Sequence, residues 1–134
     1  MSRCTTSTKF TRPTMANITG PERLVVARRR ASLTQEGLRA KLKMTRRQYQ
    51  RIESGRMSPE SWEAMLAENR AIRALVESIE DLEAWERCFL SRERSGMTLK
   101  ELAKKVKRSK VWVGEMEHGR ARPDVLVDFW AGRN

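Results

Sequence analysis

Two short stretches of the sequence carry side chains that could recognise an acidic or planar partner. The first, Thr45–Pro59, reads TRRQYQRIESGRMSP and places arginines and glutamines around Tyr49 and Ile52. Guanidinium and amide groups offer paired hydrogen-bond donors, so the chemistry they suggest is recognition rather than bond making. A related stretch, Ser109–Pro123, reads SKVWVGEMEHGRARP, so the pattern occurs twice.

The other reactive residues do not suggest a catalytic or metal site. The single His118 cannot form a triad or a zinc site alone, and the two cysteines, Cys4 and Cys88, match no metal spacing. We therefore expect no catalytic residue, no metal, no cofactor and no enzyme activity. Cys88 lies in an apolar run and is predicted to be a core residue in a reduced compartment.

The charge balance indicates the kind of partner. The 134 residues include 28 Lys and Arg against 17 Asp and Glu, a net charge of +11, and nucleic acid is the default partner for such a surplus. A merely soluble, charged protein is the alternative interpretation. No apolar run approaches the roughly 18 residues of a membrane span, and residues 1–20 lack the apolar core of a secretory signal. The sequence thus predicts a cytoplasmic location and no membrane partner.

The two stretches belong to a longer internal repeat. With an offset of 64 residues and no gap, residues 22–59 align with residues 86–123, and 12 of the 38 positions are identical. The identities include Arg28/Arg92, Leu38/Leu102, Glu53/Glu117, Gly55/Gly119 and Pro59/Pro123. Such self-similarity predicts two copies of one structural unit.

Each copy is predicted to form short helices separated by tight turns. In the first copy, Thr34 caps the second helix, and Thr45 with Gln48 forms a capping box for the third. The third helix buries Tyr49 and Ile52 and ends at Gly55. The second copy has the equivalent residues Thr98, Glu101, Leu102, Val106, Val113, Met116 and Gly119. Two helices on so short a turn describe a helix-turn-helix, so the predicted fold is all-α with two tandem copies.

Each copy resembles the Xre/Cro–C1 type helix-turn-helix domain of lambdoid phage repressors and many bacterial regulators. The family pattern is approximately R…L-T-Q-x-x-L-A…S/T…I-x-x-x-E-x-G-x-x-x-P. The first copy matches it with Arg28, Leu33, Thr34, Gln35, Leu38, Thr45, Tyr49, Glu53, Gly55 and Pro59, and the second with Arg92, Met97, Thr98, Leu102, Ala103, Ser109, Val113, Glu117, Gly119 and Pro123.

The first copy departs from the family at Arg39, where a small residue is usual, and we expect this long side chain to direct its charge outward. Lys43 and Lys107 stand where the turn usually has Gly, so we expect strained or differently shaped turns.

The resemblance implies that the third helix of each copy enters the major groove of double-stranded DNA. Arginine suits guanine, and glutamine suits adenine. The implied base-reading residues are Arg46, Arg47, Gln48, Gln50 and Arg51 in the first copy and Lys110, Val111 and Glu115 in the second. Candidates for phosphate contacts are Gln35, Lys43, Arg56, Arg23, Lys107 and Arg120. The family's structural ion pair between the first and third helices falls on Arg28–Glu53 and on Arg92–Glu117.

The second copy has two open interpretations. Val111 could contact a thymine methyl group, and Glu115 could accept from cytosine N4. Glu115 would equally repel phosphates, and Val111 with Trp112 would form an exposed apolar patch that suits a protein partner. The function we expect is a sequence-specific DNA-binding transcriptional regulator, a repressor of phage or mobile-element type. An antitoxin or antiactivator that binds a protein is the alternative.

The sequence divides into five predicted segments. They are a flexible basic arm over residues 1–19, helix-turn-helix domains over 20–66 and 84–130, a helical connector over 67–83 and a tail over 131–134. From Glu60 to Ser95 there is no Gly or Pro, and apolar residues recur near helical spacing. A 3,4 alternation with Asn69 as its polar member would suit a homodimer through the connector, although packing of this helix on its own domains is the simpler interpretation.

Overall fold

The computed structural model describes residues 10–133, and within this range the chain contains α-helices and no strand. The helices are α1 Gly20–Arg30, α2 Gln35–Lys41, α3 Arg46–Glu53, α4 Pro59–Glu68, α5 Arg70–Glu77, α6 Ala84–Arg94, α7 Leu99–Val106, α8 Lys110–Glu117 and α9 Asp124–Ala131. They form two compact units. The first unit is Ala16–Asp81, and the second combines the described residues 82–133 with residues 10–15. The predicted all-α fold is confirmed.

Side chains at the N-termini of the helices fix where the helices begin. Thr34, Thr45 and Thr98 each accept a hydrogen bond from a backbone N–H in the first turn. Ser58 does the same for α4, and Gln48 completes a capping box at α3. Each such cap stabilises its helix by about 1 kcal/mol. The caps at Thr34, Thr45 and Thr98 are the ones that the sequence predicted.

The first unit closes around one apolar core. Its buried members are Leu24, Leu38, Tyr49, Ile52, Ile72 and Val76. They come from α1, α2, α3 and α5, and α5 packs against α1. The core therefore holds α2 and α3 together while leaving the opposite face of α3 to solvent.

The predicted connector is part of this first unit. Helix α4 ends at Glu68, and Asn69 starts α5 by accepting a hydrogen bond from the backbone N–H of Ile72 at 3.0 Å. Asn69 therefore interrupts the helix, because its side chain satisfies a backbone donor at a helix start. Residues 78–83 are not helical. The predicted helical connector over residues 67–83 is therefore helical only at the end of α4 and over α5. Ile72, Val76 and Ile79 of the seam proposed for a homodimer are buried within the unit.

The segment before α1 is not a free arm. Phe10 lies against Trp130 of the second unit with ring centroids 5.3 Å apart, and Thr19 forms the capping box of α1. The predicted flexible arm is therefore wrong over residues 10–19, and its residues 1–9 lie outside the described part of the chain.

The second unit repeats the first at the level of the helices. Helices α6 and α8 begin and end 64 residues after α1 and α3. Its core consists of Cys88, Leu102, Ala103, Val113, Met116, Leu126 and Trp130. Helix α9 ends at Ala131, where the predicted tail begins, and residue 134 lies outside the described residues.

The backbone turns repeat as well. Lys43 and Lys107 have φ angles of 57° and 58°, and Gly55 and Gly119 have φ angles of 76° and 75°. A left-handed conformation costs a residue with a side chain roughly 1–2 kcal/mol, so both lysine turns are strained, as the sequence predicted. The glycines adopt the same region without that cost.

Candidate nucleic-acid interface

The first unit presents a basic surface on α3, which the turn after α2 positions. Helix α2 ends at Lys41 and α3 begins at Arg46. The left-handed Lys43 reverses the chain between them, and the two helices pack against each other. Tyr49 and Ile52 are buried, so the helical period directs the remaining side chains of α3 away from the core.

The exposed face of α3 carries the five predicted base-reading residues of the first copy. All are exposed to solvent: Arg46, Arg47, Gln48, Gln50 and Arg51. The side chains of Arg47, Gln50 and Arg51 form no hydrogen bond or ion pair with any described residue. Their donors are therefore available to an outside acceptor.

The other two residues of this face already have partners in the protein. Arg46 Nε lies 3.1 Å from Glu36 Oε1, and its side chain is 70% exposed. An exposed ion pair contributes at most about 1 kcal/mol, so Arg46 can exchange Glu36 for another acceptor. The amide oxygen of Gln48 accepts the backbone N–H of Thr45 at 2.9 Å. A two-bond contact from Gln48 to adenine would therefore break the capping box.

Arg39 has a role that the sequence did not reveal. We expected its charge to point outward, but the side chain is only partly exposed, and its Nη1 donates to the carbonyl oxygen of Met44 at 3.0 Å. Its Nη2 also donates to Glu36. Hydrogen bonding first by Arg39 and then by Arg46 holds the pKa of Glu36 below its ordinary value. Arg39 therefore ties the turn to α2, and its departure from the family pattern was the available signal.

A buried carboxylate holds α3 against α1. Glu53 accepts hydrogen bonds from Arg28 Nε at 2.8 Å, from Gln35 Nε2 at 2.7 Å and from the Tyr49 hydroxyl. Arg28 Nη1 also donates to the carbonyl oxygen of Leu33 at 3.0 Å. Burial, and then the Glu53 carboxylate, raises the pKa of Tyr49 well above its ordinary value. The Tyr49 hydroxyl thus stays a donor, and the predicted Arg28–Glu53 ion pair is confirmed.

Two of the predicted phosphate contacts have structural partners instead. Gln35 donates to the buried carboxylate just described, and Arg23 Nη1 donates to the carbonyl oxygen of Ile79 at 2.6 Å. Those partners lie 18 and 56 residues away in the sequence, beyond the reach of a local pattern. Lys43 and Arg56 are exposed, so these two remain available for phosphates.

Helix α8 of the second unit presents a different surface. Lys110 is exposed, Val111 is 76% exposed and Trp112 is 48% exposed. Glu115 accepts a hydrogen bond from Arg120 Nη1 at 2.9 Å. The predicted base-reading acid and the predicted phosphate-binding arginine therefore neutralise each other, while Lys110 and Val111 are accessible.

A buried ion pair joins α8 to α6, as another joins α3 to α1. Arg92 Nε lies 2.9 Å from Glu117 Oε2, and both side chains are largely buried, so the second predicted ion pair is confirmed. Val113 takes the place of Tyr49, and it has no hydroxyl group. Burial first, and then the Glu117 charge, raises the pKa of the Cys88 thiol to about 12. Lys107 is exposed in the turn before α8, where a phosphate could reach it.

The described residues offer neither a metal site nor a membrane-spanning helix. Among the described residues, no group of His, Cys, Asp and Glu could hold a metal ion. Between residues 10 and 133, no helix is both long enough and apolar enough to cross a membrane. Comparison with known proteins found no matching family model, no matching curated protein and no matching solved structure. The exposed face of α3 is therefore the feature from which a function is inferred.

Proposed function

We propose that the chain is a sequence-specific DNA-binding transcriptional regulator in which α3 reads base edges in the major groove. The observation that carries the proposal is the α3 face on which Arg47, Gln50 and Arg51 have no partner within the described chain. The major groove admits an α-helix, and arginine donates two hydrogen bonds to guanine O6 and N7. Glutamine makes the equivalent pair of bonds to adenine.

The support beneath α3 favours this function. Base recognition requires that the reading side chains start from a fixed helix, because small errors of position break paired hydrogen bonds. The Glu53 carboxylate joins α3 to α1 through Arg28 and to the start of α2 through Gln35. The reading face is thus anchored from behind by bonds that DNA would not have to disturb.

The exposed lysine and arginine at the two ends of α3 complete the proposed contact. Lys43 precedes the helix, Arg56 follows it, and both are exposed. Phosphate contacts of this kind set the position of a reading helix but carry no sequence information. The net charge of +11 supplies the general attraction to DNA and makes that attraction dependent on salt.

The second unit would add a weaker half-site. Val111 suits a thymine methyl group and Lys110 suits guanine or a phosphate, while Glu115 is neutralised by Arg120. Because α3 and α8 expose different side chains, one chain would read two dissimilar half-sites. Occupying a promoter in this way would repress transcription.

A protein partner is the second candidate for α8. The exposed fractions of Val111 and Trp112, 76% and 48%, favour this role, because apolar side chains exposed side by side often mark a protein interface. The chain would then be an antitoxin or antiactivator whose first unit binds DNA. Replacing Lys110, Val111 and Glu115 together by alanine separates the two roles. Loss of half of the DNA footprint supports reading by α8, and an unchanged footprint supports the partner.

The proposal is tested by selecting bound sequences from random duplex DNA with the whole chain. We expect enrichment of a short motif that contains guanine. We also expect the affinity to fall with added salt with a log–log slope of about −5 or steeper, if six or more phosphates are neutralised. No enrichment together with a flat salt dependence would contradict the proposal.

A further inference from the structure

A cavity in the second unit lies beside the residue that corresponds to Leu24. Leu24 of α1 shares the first core with Ile72 and Val76 of α5. The offset of 64 residues places Cys88 of α6 at the position of Leu24, and Cys88 lines a cavity of about 170 Å³. In the second unit α9 packs against α6, and residues of both helices line the cavity.

Apolar side chains and two arginines line the cavity. Ala84, Cys88, Val127 and Trp130 supply apolar wall, and the residues that line it include Arg12 and Arg87 but no acid. A cavity of about 150 Å³ lined by apolar groups holds benzene. The volume therefore suits one aromatic ring, and the charge suits an anion.

Trp130 supplies an aromatic ring to this wall. The residue is 4% exposed, and its Nε1 is buried with no hydrogen-bond partner in the described part of the chain. The indole ring can stack against an aromatic ligand, and its N–H resonance reports on a ligand bound beside it.

Arg87 supplies the matching charge. Its Nη1 donates to the backbone carbonyl oxygen of Leu82 at 2.7 Å, and no described carboxylate forms an ion pair with it. Burial raises the pKa of the Cys88 thiol to about 12. Cys88 thus stays neutral at physiological pH and does not repel an anion.

We propose that this cavity binds a small aromatic monocarboxylate. The ring lies among Ala84, Val127 and Trp130, and the carboxylate accepts hydrogen bonds from Arg87. This ligand site goes beyond the proposed DNA binding, and it does not depend on it.

The test is a titration of the whole chain with benzoate, followed by the indole N–H resonance of Trp130 in NMR spectra. A Trp130→Phe variant assigns that resonance. We expect a saturable shift with a dissociation constant of about 0.1–1 mM, which a ligand with one ring and one charge can reach. Benzamide has the same shape without the charge, and it should bind about tenfold more weakly because it lacks the charge-assisted hydrogen bonds.

Two variants locate the binding, and one is the matched control. Arg87→Gln should weaken benzoate about tenfold, and Ala84→Leu should abolish binding because the larger side chain fills the cavity. Arg122 is an exposed arginine of the same unit that does not line the cavity, so Arg122→Gln should leave binding unchanged. Circular dichroism confirms that each variant is folded.

Several results would overturn the proposal. They are no saturable shift up to about 10 mM benzoate, equal binding of benzamide, and unchanged binding in both Ala84→Leu and Arg87→Gln. The titration contains no DNA, so its outcome is independent of the proposed regulator function.

Discussion

Replacing Glu53 with alanine should remove most of the stability of the first unit. The Glu53 and Arg28 side chains are only 5% and 13% exposed, and the carboxylate also accepts hydrogen bonds from Gln35 and Tyr49. Removing one partner of a buried ion pair leaves the other charge buried without compensation, at a cost of about 3–5 kcal/mol. A unit of this size has a total stability of about 3–10 kcal/mol.

The assay is urea unfolding combined with amide hydrogen exchange at Ile52 and Met116, because these buried residues report separately on the two units. The matched control is Glu77→Ala, which removes the same charge from an exposed pair with Arg73. We expect Glu53→Ala to lower the free energy of unfolding of the first unit by about 3–5 kcal/mol. The control should cost less than about 1 kcal/mol.

A double variant separates the ion pair from general damage to the unit. Arg28→Ala should cost as much as Glu53→Ala, and the variant with both changes should cost clearly less than the sum of the two, because no unpaired charge remains. A loss below about 1 kcal/mol for Glu53→Ala, or full additivity in the double variant, would refute this reasoning.

Three further predictions concern the turns and the buried thiol. Lys43→Gly should raise the free energy of unfolding by about 0.5–1 kcal/mol, since it relieves a left-handed lysine at some cost in chain entropy; a fall in thermal stability would contradict this. Gly55→Ala should lower the free energy of unfolding by about 1–2 kcal/mol, because alanine is unfavourable at this positive φ. Gly119→Ala should lower the free energy of unfolding by about 1–3 kcal/mol more than Gly55→Ala does. The new Cβ would lie 2.8 Å from Trp85, whereas nothing lies within 4 Å of a Cβ at Gly55. Equal losses for the two variants in urea unfolding would exclude the clash. Burial raises the pKa of Cys88 to about 12, so the folded chain keeps a proton that the unfolded chain releases above about pH 8.5. The contribution of this thiol to stability is complete below that pH and is lost as the pH rises towards 12. Above about pH 8.5 the urea midpoint should therefore fall less steeply with pH in Cys88→Ala than in the wild type. Equal slopes would contradict the raised pKa.

Local patterns in the sequence were sufficient for the caps of α2, α3 and α7. Thr34, Thr45 and Thr98 were recognised as caps because a cap interacts with backbone only a few residues away. A strained or differently shaped turn was expected at Lys43 because the family usually has Gly there, and the structure gives Lys43 a φ of 57°. The Arg28–Glu53 pair was inferred from the family resemblance, and the structure contains it.

Contacts between distant residues were the part that the sequence could not give. Gln35, at the start of α2, and Arg23 were candidates for phosphate contacts under the family resemblance. Their partners, Glu53 and the carbonyl oxygen of Ile79, become visible only once the helices are packed. Asn69 was read as the polar member of a helical seam, because asparagine is compatible with both a seam and a cap.

Two arginine variants test whether α3 reads bases. The side chain of Arg47, which lies on α3, has no partner among the described residues. Arg73 lies on α5 with its Nε 3.0 Å from Glu77. Replacing either residue with alanine removes the same charge. The measurement is the affinity of each variant for the selected site and for random duplex DNA at one salt concentration. We expect Arg47→Ala to lose about 1–3 kcal/mol of binding free energy at the selected site and little on random DNA. Arg73→Ala should lose little on either. Equal losses on both DNAs for Arg47→Ala, or no loss at all, would contradict base reading by α3.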